Sequence, residues 1–130
     1  MKKIAKKVAT ILLVKEIEPC LDFWTKTLGF EVTQSVPEGD KLGFAMLAQG
    51  DIEIHLQTKS VTKKGLPSLA IGEPVSAVVY FDVENIDELE TSLSARQDIE
   101  ILVPKHKTFY GATEIYVREP GGHMLGFAQL

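Results

Sequence analysis

At 130 residues the chain has the length of one ordinary domain, and a balance of 45% hydrophobic to 25% charged residues is that of a folded globular protein rather than a disordered tail. A net charge of −4 and a pI near 5.4 give no positive field for phosphate backbones, and no apolar run approaches the roughly twenty residues that span a bilayer, so neither nucleic acid nor membrane is an expected partner. Cys20 is the sole cysteine, which excludes a disulfide framework and makes a reducing cytoplasm the expected compartment.

In chain order, Lys2, Lys3, Lys6 and Lys7 read as a solvated terminus beside the first strand. The stretch Val8 to Val14 is too short for a secretory apolar region and runs into Lys15-Glu16, so no export is expected; it predicts a strand buried on both faces. Glu18-Pro19 places proline at a first-turn position, and Leu21, Trp24 and Leu28 follow at i, i+3 and i+7, which predicts an amphipathic helix closed by Gly29. Strands are predicted over Phe30–Val36, Leu42–Ala48 and Asp51–Gln57, with turns at Pro37-Glu38-Gly39-Asp40 and Gln49-Gly50. This half reads β-α-β-β-β.

From Thr58 to Pro74 the composition shifts to Lys, Thr, Ser, Gly and Pro without either periodicity, which predicts a linker or mobile loop. The pattern then restarts. Val75–Val83 is a predicted strand, Asn85 with Glu88 three residues on forms a capping box, and Ile86, Leu89 and Leu93 repeat the helical face. Strands over Ile99–Val103, Ala112–Glu119 and Met124–Gln129 complete a second β-α-β-β-β unit, the last two joined by Pro120-Gly121-Gly122. The sequence Val14-Lys15-Glu16-Ile17-Glu18 aligns with Val83-Glu84-Asn85-Ile86-Asp87, as expected of a duplicated unit. The organisation is one domain over 1–130, with a first module over 1–58, a linker over 59–74 and a second module over 75–130.

Several residues carry candidate chemistry, each beside a plainer role. Glu53 and His55 are i, i+2 on one strand and share a face, as a ligand pair or acid-base dyad would; alternating Ile52, Ile54 and Leu56 also fit an ordinary strand with one wet face. Glu114, Tyr116 and Arg118 share a face of the seventh strand, either lining a pocket or forming surface cross-strand pairs. Phe44, Met46, Tyr80 and Phe109-Tyr110 could face core or cleft, and in a cleft would suit a flat or aromatic ligand. Phe23 and Trp24 are expected in the core, His106 in an exposed loop, and His123 in a turn role. Cys20 lies in a first helical turn, where the dipole favours a thiolate, but no histidine lies near it in sequence. There is no Gly-rich phosphate loop, no Gly-x-Ser-x-Gly elbow and no Cys-x-x-Cys.

The runs Leu13-Val14-Lys15-Glu16-Ile17, Leu21-Asp22-Phe23-Trp24 and Leu28-Gly29-Phe30-Glu31-Val32, with Tyr116-Val117-Arg118-Glu119-Pro120-Gly121-Gly122-His123 near the end, resemble the opening and final hairpin of the vicinal-oxygen-chelate superfamily of glyoxalase, bleomycin-resistance and dioxygenase proteins. The resemblance covers nearly the whole chain. It implies an α+β fold in which two βαβββ modules form a curved mixed sheet around a cleft. Metal-dependent members carry a His or Gln early in the first strand, a Glu in the fourth, a His early in the fifth and a Glu in the eighth. The matching positions here are Ala9, Val78 and Gly126, with Glu53 the one ligand type retained, so the resemblance implies a branch that has lost the metal site and uses no cofactor. The function so implied is binding: a metal-free cleft, like that of bleomycin-resistance proteins, sequestering an aromatic or cationic small molecule, in a homodimer. Expected ligand-binding residues are Phe44, Met46, Glu53, His55, Tyr80, Glu114 and Tyr116, with Glu119 a further acid that would favour cationic groups. The alternative is a glyoxalase-like lyase or isomerase using Glu53 or Glu114 as base.

Overall fold

The computed structural model describes residue 3 and residues 5–66 and 77–130, which build two four-stranded mixed sheets with a few short helices, an α+β architecture. The chain divides into two compact units, Met1–Ile71 and Gly72–Leu130. Lys2 and the predicted linker and strand positions at 67–76 lie outside the described residues. No described helix is long and apolar enough to cross a membrane.

In the first unit β1 (Thr10–Val14) pairs in parallel with β4 (Ile52–Thr58), and β4, β3 (Lys41–Gln49) and β2 (Glu31–Glu38) follow antiparallel, giving the order β1-β4-β3-β2. The strand predicted from Val8 is shorter and buried on one face: Leu12 and Val14 are enclosed while Ile11 is 54% exposed. An edge strand has one ladder partner, and the core covers only one of its faces. The second strand runs through Pro37, tolerable because β2 is an edge and proline there removes no required ladder bond. The turn narrows to Gly39-Asp40, with Gly39 at φ +67°.

Helix α1 (Glu18–Asp22) starts with proline in its first turn and widens into a π-helical turn over Phe23–Thr27. The wider turn lets neighbouring Phe23 and Trp24 both face inward. Both are fully enclosed, and Trp24 packs edge-to-face on Phe23 and Phe30 at ring-centroid separations of 5.7 and 5.4 Å, as expected of core aromatics. The Cys20 thiol is also buried, within 3.5 Å of the Glu16 carbonyl oxygen.

The predicted linker begins instead as a helix, α2 (Lys59–Gly65). Its signal is polar rather than periodic. The Thr58 hydroxyl caps the Val61 N–H at 3.1 Å, and the Thr62 hydroxyl donates to the Thr58 carbonyl at 2.8 Å. The Glu38 carboxylate, from β2, accepts hydrogen bonds from Ser60, Lys64 and Thr58. Those donors hold its carboxyl below the usual range, Ser60 most strongly.

The second unit repeats the plan as β5-β8-β7-β6, with β5 (Val78–Asp82) parallel to β8 (Met124–Gln129), and β7 (Thr113–Arg118) and β6 (Glu100–Lys107) antiparallel beyond it. Helix α3 (Ile86–Ser94) is capped as expected, the Asn85 side chain accepting from the Glu88 N–H at 3.0 Å. Ile86 and Leu93 turn inward, and Ile115, Val117, Leu125 and Phe127 form the buried face of the sheet. The strand predicted to stop at Val103 continues to Lys107, through two register shifts. His106 therefore lies in a strand opposite Glu114, not in an exposed loop.

Candidate functional site

Strand alternation sorts the candidates onto the open face of each sheet, opposite the core. In the first unit Met46 pairs with His55, Phe44 with Gln57 and Ala48 with Glu53, so Phe44, Met46, Glu53 and His55 share one face. The Glu53 carboxylate accepts from the Lys7 ammonium and sits 2.7 Å from His55 Nε2; Lys7 first and His55 second hold its carboxyl below the ordinary range. Lys7 is thus tied to the sheet rather than simply solvated. The Phe44 ring meets the His55 imidazole edge-on at 5.3 Å.

In the second unit Tyr80, Glu114 and Tyr116 meet on the open face. Gly126 of β8 pairs with both Tyr80 and Tyr116, and Glu114 lies opposite Ala128 on one side and His106 on the other. Glu114 is only 2% exposed, and its charge is met by three phenols. Oε2 accepts from the hydroxyls of Tyr80 and of Tyr110, the latter at 2.6 Å, and Oε1 accepts from Tyr116 at 3.2 Å. His106 Nε2 stands 4.0 Å from Oε1. The donated hydrogen bonds, Tyr110 foremost and then Tyr80, hold the Glu114 carboxyl below its ordinary range against the opposing effect of desolvation. The carboxylate in turn pushes the phenols of Tyr80 and Tyr110 up, while burial leads the rise at Tyr116.

Tyr110 reaches this cluster because the β6–β7 connection curls back. The Ala112 N–H donates to the Thr108 hydroxyl at 3.0 Å, the Gly111 N–H to the Thr108 carbonyl at 3.2 Å, and Gly111 takes φ +90°. Phe109 beside it is fully exposed. Glu119 has a different role. His123 places its backbone N–H and its Nδ1 within 2.8 and 2.7 Å of Glu119 Oε1, closing the final hairpin, and those bonds outweigh burial in keeping the carboxyl low. Buried Oε2 has no hydrogen-bond partner among the described residues. Arg118 donates to Glu100 and to the Gly122 carbonyl. On the helical side of this sheet lies a cavity of about 160 Å³ between α3 and β6, lined by Leu93, Ile101, Pro104 and Ile115 among others. Lys105 at its rim is held by Asp87 and Glu90, and none of the candidate residues reaches it.

A divalent ion held by side chains needs three or more donors converging on one place. Among the described residues no group of three or more His, Cys, Asp or Glu is placed to hold one. At Gly126 a Cβ would already stand 2.7 Å from Tyr116 Cε2 and 3.0 Å from Tyr80 Cδ1, so two aromatic rings fill the space a carboxylate side chain there would need. Pairing also locates the corresponding place in the first unit. Ile11 and Tyr80, each three residues before the aligned Val14 and Val83, pair with His55 and Gly126 respectively. His55, rather than Glu53, is therefore the repeat counterpart of Gly126.

The family model described as the glyoxalase/bleomycin resistance protein/dioxygenase superfamily matches residues 6–127. Among solved structures, a glyoxalase/bleomycin resistance protein/dioxygenase from Nocardioides is 21% identical with a TM-score of 0.75, over 99% of this chain and 85% of that one. A member of the same superfamily from Sphaerobacter thermophilus is 19% identical with a TM-score of 0.73, over 98% of both chains. A glyoxalase-related enzyme from Fulvimarina pelagi is 14% identical with a TM-score of 0.76, over 98% of this chain and 89% of that one. At these identities the likeness speaks for the fold alone. No curated protein matches the sequence.

Proposed function

The chain belongs to the glyoxalase/bleomycin resistance protein/dioxygenase superfamily, and from that premise we propose that it is a small-molecule binding protein that takes an aromatic or cationic ligand without a metal ion. The observation that carries the proposal is Glu114, a buried carboxylate held by three phenols beneath rings that remain open to solvent, with Tyr80 50% and Tyr110 54% exposed. Such a face offers aromatic area and a fixed negative charge, which complement an aromatic or cationic ligand. It makes a poor proton acceptor. Both carboxylate oxygens already accept phenol hydrogens, and a depressed pKa weakens the base. Glu53 is likewise occupied by Lys7 and His55, which weighs against the lyase or isomerase reading at either carboxylate.

The open face of the first unit, with Phe44, Met46 and His55, supplies a second apolar and polar surface of the same character. The proposal includes a homodimer, supported by the unpaired outer edge of β2, where Val32 and Val36 are exposed. Its test is a thermal-shift screen of protein purified without chelator, against planar aromatics, organic cations and divalent ions, beside metal analysis of the same sample. Stabilisation by an organic compound with no stoichiometric metal supports binding. Stoichiometric metal, with stabilisation by ions alone, would overturn it.

A further inference from the structure

Building on the small-molecule reading above, we infer that the open face over Glu114 recognises a methylated ammonium group, a cation with no N–H to donate, through the ring faces of Tyr80 and Tyr110. A guanidinium or primary ammonium is recognised by donating N–H groups to a carboxylate. Here that acceptor is 2% exposed, and its two oxygens already accept three phenol hydrogens, so an N–H cation has to evict a phenol to reach it. What the cluster leaves open is the rings, half-exposed at Tyr80 and Tyr110.

A ring face attracts a cation through its quadrupole, and a phenol donating to a carboxylate is polarised so that its ring becomes richer in electrons. The negative charge behind the rings adds to the same attraction. A methylated ammonium is weakly hydrated and loses nothing by lacking donors, so it takes full advantage of this surface. Of the neighbouring basic groups, His106 stands 4.0 Å from Glu114 Oε1, on the carboxylate side of the rings, and Arg118, on the same strand face two residues beyond Tyr116, is turned to Glu100 at 3.3 Å and the Gly122 carbonyl at 3.1 Å. Asp82 shares the face of β5 with Tyr80 and adds negative charge. Phe109, fully exposed, meets the Tyr110 ring edge-to-face at 5.0 Å.

The test compares choline with 3,3-dimethylbutan-1-ol, which has the same shape without the charge, by NMR titration of the intact chain near pH 8. Choline is expected to bind roughly three- to thirtyfold tighter. Tyr80→Leu, which removes a half-exposed ring, and Glu114→Gln, which removes the charge, are each expected to erase most of that ratio. Tyr80→Leu keeps the inference falsifiable should Glu114→Gln fail to fold. Equal affinities in the wild type, or a ratio unchanged in Tyr80→Leu, would overturn it, as would methylguanidinium binding more tightly than choline. Quinoline, uncharged at this pH, separates the two levels of the argument. If quinoline binds and choline does not, the cation assignment falls while the small-molecule reading stands; if no organic probe binds, both fall.

Discussion

Replacing Gly126 by alanine tests the packing that sets this protein's second sheet apart. The added Cβ would lie 2.7 Å from Tyr116 Cε2, 3.1 Å from Tyr116 Cδ2 and 3.0 Å from Tyr80 Cδ1, whereas carbon atoms settle at about 3.5–4.0 Å. The Tyr116 ring therefore has to retreat by about 0.8 Å or more, the difference between the lower end of that contact range and the present spacing. Tyr80, half-exposed, can swing outward, but Tyr116 pairs directly with Gly126 across the ladder and is partly enclosed. Its hydrogen bond to Glu114 is already 3.2 Å long, and the retreat breaks it. Overpacking of this kind costs about 1–3 kcal/mol, and losing a donor to a charged group about 1.5–3 kcal/mol; because one movement causes both, we expect a total near 2–3 kcal/mol rather than the sum. Urea denaturation gives the value, read as a lower midpoint with an unchanged m-value. Gly65→Ala, where a Cβ meets no atom within 4 Å, is the control and is expected within about 0.5 kcal/mol of wild type. A Gly126→Ala protein as stable as the control would refute the claim that the rings fill this space.

Stability should fall with acid through Glu114. Its folded pKa is depressed, so its contribution is fully present above the unfolded value of about 4.3 and is lost as pH falls through the folded value; Glu114→Gln is therefore expected to flatten the acid limb of a urea-midpoint profile, and an unchanged limb would contradict this. Phe127→Ala, removing a fully buried ring stacked 5.5 Å from Phe81, is expected to cost about 3–5 kcal/mol by the same denaturation, and under 1 kcal/mol would contradict its core position. Thr58→Ala removes both the cap of α2 and a tie to Glu38 and is expected to cost about 1 kcal/mol, with faster amide exchange confined to residues 59–65; unchanged exchange would show that the cap does not hold the helix.

Most of the architecture was legible in the sequence because each half carries its own markers. Proline opens the helix of the first half and Asn85 that of the second; of the apolar residues at i, i+3 and i+7, Trp24, Ile86 and Leu93 are buried while Leu21, Leu28 and Leu89 are half-buried, and Cys20 and Phe23 complete the inner side of the first helix. Helix α2 escaped because its support is not periodic: Thr58 caps it locally, and Glu38, far away in sequence, ties it down. At the site, Glu114 and Tyr116 were readable as i, i+2 neighbours, and Tyr80 was open to either face. In the sequence Tyr110 is only an aromatic that fits either face, and its bond to Glu114 depends on the curl from Thr108 to Ala112. His106 faces Glu114 only because β6 continues through two register shifts, which no alternation pattern announces.

The carboxyl carbon of Glu114, followed by NMR in protein labelled at glutamate side chains across an acid titration, reports directly on whether three phenols share one ionised carboxylate. We predict a midpoint below the ordinary glutamate value of about 4.3, with the titration moving back toward that value in Tyr110→Phe, which deletes the foremost donor. A midpoint at or above that value in the wild type would contradict the account, because it would mean that the phenol hydrogen bonds do not outweigh the desolvation of the carboxylate.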